Sequence, residues 1–184
     1  MIIIAILLGI VACKEAPKEA QSTDYIQQGK EITKATFEAL SSKLTEQMKL
    51  GGPAKAVPFC NVEAMPLTDS MAAKYMVTIK RTSDKLRNPK NKATSRELEI
   101  ISQYQKSKAN GDVLKPMVEK DSEEVAHFYA PITTNAKCLK CHGVVGEMTM
   151  AKTDSIIKSL YPEDIATGYG DEQVRGIWSI TFNK

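Results

Sequence analysis

Apolar positions recur at helical spacing from Asp24 to a glycine pair at 51 and 52: Ile26, Ile32, Phe37, Leu40, Leu44 and Met48. This predicts one long helix, capped by Ser22, Thr23 or Asp24 and stopped by Gly51-Gly52. At 1.5 Å per residue it is roughly 40 Å long. That exceeds what a domain of this size needs, so part of it is expected to pack against a partner, a homodimer through this helix being one arrangement. The next stretch, "PAKAVPFCNVEAM", predicts a second, shorter helix with Pro53 in its first turn. Pro58 within it removes a backbone hydrogen bond, and a kink there would aim Cys60.

Further along, "YMVTIKR" reads as a strand by its β-branched content, and "LRNPKNKAT" as a loop, because Pro89 disfavours helix at Asn88. "SRELEIISQYQKSKAN" is helical and ends at Gly111. "EVAHFYAPI" is a strand leading into a cysteine pair, "TDSIIKSLY" a short helix, and "VRGIWSITF" a closing strand. Strands and helices mix without βαβ alternation, which predicts an α+β domain with a mostly antiparallel sheet.

The first twelve residues, "MIIIAILLGIVA", are apolar and uncharged, and Cys13 follows directly. The run is too short to span a bilayer, which takes about 20 residues. An apolar stretch ending in small residues before a cysteine reads as a bacterial lipoprotein signal, although no Lys or Arg precedes it. The expected organisation is therefore a signal peptide over 1–12, a lipidated Cys13 with a polar tether over 13–23, and one domain over 24–184. The mature chain would then lie on the periplasmic side, held to a membrane by lipid.

The 184 residues carry a net charge of +3, with the positive residues scattered. No basic block with interleaved aromatics occurs, so nucleic acid is not an expected partner. Export matters more for the four cysteines, because thiols beyond the inner membrane tend to form disulfides. Lipidation of Cys13 leaves Cys60, Cys138 and Cys141, an odd number that needs an explanation.

Cys138-Leu139-Lys140-Cys141-His142 is the c-type haem attachment pattern. Two thiols one turn apart reach the two vinyl groups of one porphyrin and form thioethers, and the following histidine reaches the iron. A zinc site would want a second ligand pair, which the chain lacks. A thioredoxin-type pair or a plain disulfide would not need the histidine. The motif therefore predicts one covalent haem c, with His142 as proximal ligand. The opposite iron position has several candidates: His127 in a predicted strand, Met148 and Met150 beyond the motif, and Cys60, which by itself reads as a buried structural thiol.

Four stretches together resemble the PAS-like c-type haem family, whose members occur as single-haem proteins and as periplasmic sensor domains. They are "FCNVEA", "RTSDKLRNPKNK", "FYAPITTNAKCLKCHG" and "YPEDIATGYGDEQVRGIWSI", in that order from about residue 24 to the end. The resemblance implies a PAS-like antiparallel sheet flanked by helices, with a long N-terminal helix. It also implies that Cys60 binds iron opposite His142, and that Cys60 escapes disulfide formation for that reason. Phe59, Arg87, Asn88 and Tyr129 fall in these stretches as candidate haem-pocket residues, and Asn91 as a further loop residue.

The expected function is redox or gas sensing, or low-potential electron transfer, with an unidentified redox or signalling protein as partner. An anionic sulfur ligand offsets charge on ferric iron more than on ferrous iron and so lowers the potential, whereas His/Met ligation raises it. Two rivals remain. One is a haem enzyme of peroxidase or nitrite-handling type, for which His127 is the available distal histidine. The other is a non-haem lipoprotein with a Cys138–Cys141 disulfide.

Overall fold

The computed structural model describes residues 18–183, with side chains from residue 24 onward. Cys13 and the expected signal peptide lie outside the described residues.

Helix α1 spans Lys18–Gly51 and α2 spans Pro53–Tyr75. Strand β1 (Val77–Thr82) is followed by a short 3-10 turn at Pro89–Asn91 and by α3 (Ser95–Ala109). Strands β2 (Met117–Lys120) and β3 (Ala126–Thr133) lead to the one-turn helix α4 (Leu139–His142). Helix α5 (Ala151–Leu160) and strand β4 (Val174–Phe182) complete the chain. The four strands form one antiparallel sheet in the order β1-β4-β3-β2, so the expected α+β class with an antiparallel sheet holds.

Three elements differ from the sequence reading. Helix α1 starts at Lys18, so the last part of the expected tether is helical, and its 34 residues make it about 51 Å long. Helix α2 continues through Pro58 and Pro66 to Tyr75. Both prolines are on its exposed side, where the carbonyls they leave unbonded can meet water. Strand β2 was not expected: "MVEK" is four residues long, too short for a periodic signal.

Side chains alternate across the sheet and build two cores. On one face Val77, Ile79, Phe128, Trp178, Ile180 and Phe182 pack with Ile32 of α1, and with Met71, Ala72 and Tyr75 of α2. On the other face Tyr129, Val174 and Ile177 pack with Ile100, Ile101 and Tyr104 of α3. The central strand β4 has helices on both sides, which is why nearly all of it is buried. Helix α1 approaches β3 closely at Gly29, where a Cβ would fall 2.3 Å from the Phe128 ring.

One end of the sheet gathers three strand termini. Thr82 at the end of β1 faces Ile177 near the start of β4, and Thr133 at the end of β3 faces Val174. The cysteine motif follows β3, so this end of the sheet positions it. Among the described residues, no helix is long and apolar enough to cross a membrane.

Candidate functional site

The motif turn is fixed from both sides. Beyond β3, the buried Thr134 donates its hydroxyl to the Gly170 oxygen at 2.7 Å and accepts the Gln173 amide at 2.9 Å. Asn135 then starts the turn. Its backbone oxygen accepts the amides of Cys138 (2.8 Å) and Leu139 (3.2 Å), and its side-chain oxygen accepts that of Lys137 at 2.9 Å. Thr149, fully buried, donates to the Leu139 oxygen at 2.8 Å. Gly143 closes the turn; a Cβ there would lie 2.6 Å from the Leu139 oxygen.

A second segment, residues 164–169, lies against the motif. The Tyr169 amide donates to the His142 oxygen and the Gly168 amide to the Gly143 oxygen, each at 3.0 Å. The Tyr169 ring meets the imidazole edge-on, with centroids 6.5 Å apart. His142 Nδ1 is 2.7 Å from the Ala166 carbonyl oxygen. A carbonyl can only accept, so Nδ1 carries the proton and Nε2 presents a lone pair. Arg175 Nε, 3.4 Å from Nδ1, is then a cationic neighbour rather than a hydrogen-bond donor. Burial, with Arg87 and Arg175 nearby, pushes the imidazole pKa well below its ordinary value, although the Ala166 carbonyl opposes this. His142 is therefore a neutral imidazole of fixed tautomer, the form that binds a metal.

Arg87 ties the loop after β1 to both segments. It donates to both Asp164 carboxylate oxygens, at 3.1 and 3.3 Å, and to the Cys141 backbone oxygen at 2.7 Å. Cys60 reaches this neighbourhood from α2. Burial pushes its thiol pKa up, while the Arg81 and Arg87 guanidiniums pull the other way. The Cys141 thiol is likewise raised by burial, against the pull of Arg87, and it feels the charge of Cys60. Cys60, Cys138 and Cys141 are all free thiols, with no disulfide among them.

The other expected residues divide. Arg87 is at the site. Asn88 is in the extended conformation that a following proline favours, and its side chain accepts the Lys90 amide at 3.0 Å. With Arg87, Asn61 and Met65 it lines a cleft of about 670 Å³ beside α2. The Asn91 backbone oxygen accepts the Thr82 hydroxyl. Phe59 is partly buried on α2, next to Cys60. Tyr129 packs in the α3-side core, and its backbone oxygen accepts the Tyr104 hydroxyl. His127 is at the opposite end of the sheet, with its ring nitrogens 3.0 Å from Asp121 and Thr181. Met148 and Met150 are 38% and 62% exposed.

Sequence reasoning missed Ala166, Tyr169, Asp164, Arg81 and Arg175. Most act through backbone groups or from distant strand ends, and neither leaves a local pattern. Asn135 did leave one, an asparagine three residues before the first motif cysteine.

The family model "Tll0287-like: Tll0287" matches residues 18–183. The chain belongs to the Tll0287-like family. Among solved structures, the cyanobacterial heme-protein Tll0287 is similar to this Tll0287-like chain with a TM-score of 0.67. The two are 20% identical, and the match covers 92% of this chain and 98% of that one, which establishes a shared fold. No curated protein matches.

The donor set fits the group that the motif implies. Two free thiols one helical turn apart suit two vinyl groups, and His142 offers Nε2 from a fixed ring. Among the described residues, no cluster of three or more His, Cys, Asp and Glu side chains could hold a bare metal ion instead.

Proposed function

We propose that this chain binds one covalent haem c through Cys138 and Cys141, with His142 and Cys60 as the iron's axial ligands. The observation that carries the reading is the Nδ1–Ala166 contact at 2.7 Å, which fixes an imidazole lone pair one residue after the second free thiol. The family membership and the haem-protein neighbour support it. Bound haem would supply a one-electron iron centre.

The chain's own residues hold and tune that centre. The Ala166 carbonyl accepts from His142 and raises its basicity as a ligand. Burial raises the Cys60 thiol pKa on balance, while Arg81 and Arg87 pull the sulfur towards the anionic form that an iron would bind. An anionic ligand favours ferric iron, so the reading is low-potential electron transfer, or redox or gas sensing, rather than catalysis. The fold is read as PAS-like. Cys60 sits on α2, which packs on β1, α5 and α1, so a displacement of Cys60 would be felt by the long helix. The protein is read as exported and tethered on the periplasmic side by lipid at Cys13, passing its signal or electron to a protein partner, with α1 as the candidate surface for that partner or for a homodimer.

Mass spectrometry of protein made in cells with cytochrome c maturation tests the attachment. One haem retained after denaturation, and lost when Cys138 and Cys141 are both replaced by alanine, supports the reading. Unmodified protein that is colourless overturns it.

A further inference from the structure

Three guanidiniums converge on the site, but only one carboxylate is built in with them. Arg87 has Asp164, whose side chain is fully buried. Among the described residues, Arg81 and Arg175 have no ion pair. Arg81 stands at the end of β1, beside the Trp178 ring at 5.7 Å, and feels Cys60, Tyr161 and Arg175. Arg175 stands at the start of β4, 5.3 Å from the Tyr169 ring centre and 3.4 Å from His142. Both are partly buried. At the rim, the exposed Lys85 and Asp84 offset one another.

A desolvated guanidinium with no anion is costly, and its N–H fork suits a carboxylate in two-point contact. The aromatic rings lie against the two side chains, and Arg175 also hydrogen-bonds the Tyr169 hydroxyl, so it is the remaining donors of each fork that are open to an anion. The surplus beside Cys60 and His142 is two positive charges. A haem carries two propionate carboxylates. We propose that Arg81 and Arg175 bind the haem propionates, Arg81 from β1 and Arg175 from β4, so that the end of the sheet fixes the rotational setting of the porphyrin. This rests on the haem reading above. Arg87 is excluded from the role because Asp164, Cys141 and Ala166 already use its donors.

Resonance Raman spectra of the haem-loaded protein test the assignment through the propionate bending bands, which respond to hydrogen bonding at the carboxylates. Arg81→Gln and Arg175→Gln should each shift one band, while thioether attachment keeps the haem in place. The lysine replacements, which keep the charge and serve if a glutamine variant folds poorly, should shift the same bands less. Arg96→Gln, on the exposed face of α3, should leave the bands unmoved. Wild-type protein without covalent haem overturns the haem reading and this proposal together. Loaded wild type with bands unmoved in both glutamine variants overturns this proposal alone. Unmoved bands together with a wild-type spectrum that changes on adding phosphate would assign the guanidiniums to a free anion, and also overturn it.

Discussion

Arg87 grips Asp164 through two hydrogen bonds while its third contact holds the Cys141 backbone oxygen, so one buried ion pair joins the loop after β1, the motif turn and the 164–169 segment. The Asp164 side chain is 0% exposed and that of Arg87 15%. Removing one partner of such a pair strands the other.

Asp164→Ala should therefore cost about 3 kcal/mol of stability, and it should lower haem loading because Arg87 no longer holds the motif turn. Urea denaturation and the ratio of haem absorbance to protein absorbance check the two effects. A loss within about 0.5 kcal/mol, the range of a neutral surface change, with full loading would contradict the role given to the pair.

Glu97 provides a pH-dependent prediction away from the site. It is the third residue of α3 and closes its capping box: Thr94 and Glu97 satisfy one another's backbone amides, and Glu97 also pairs with Lys80 of β1 at 2.6 Å. Burial alone would raise its pKa, but Lys80, the Thr94 amide and Ser179 together hold it below the ordinary value of about 4.5. A depressed folded-state pKa contributes stability that is present above the unfolded value and lost as pH falls through the folded one. Glu97→Gln should cost about 2 kcal/mol at pH 7, and the wild-type advantage should shrink as pH drops below about 4.5. An advantage unchanged by acid would show that the carboxylate charge is not what stabilises α3.

Gly29→Ala tests the seating of α1 on the sheet. A Cβ there meets the Phe128 ring at 2.3 Å, and Phe128 is fully buried, so either the helix or the ring must shift. The expected cost is about 2 kcal/mol, read as a lower thermal midpoint. An unchanged midpoint would mean that α1 rides loosely on β3.

The legible and illegible parts of this molecule separate by the range of the interactions involved. The c-type motif, the helices bounded by Gly51 and Gly111, and the strand ending at Phe182 follow from local spacing, and all appear as elements. Pro66 obscured the length of α2, because a proline on the exposed side of a helix resembles a stop. The His142 environment was not legible, since Ala166 contributes a carbonyl that any residue would have provided. Arg175 reaches the site only because β4 lies between β1 and β3, a pairing that no local pattern records. Tyr129 shows the reverse, a residue whose surroundings differ from those of its sequence neighbours. It lies near the motif in sequence, but the alternation of β3 turns it towards α3.

Electron paramagnetic resonance of the ferric protein, with and without Cys60→Ala, addresses the haem and its two axial ligands at once. The account predicts a low-spin signal of thiolate type in wild type that disappears in the alanine variant, while the thioether-bound haem remains. A wild-type protein with no ferric haem signal, or a signal identical in both proteins, would contradict it.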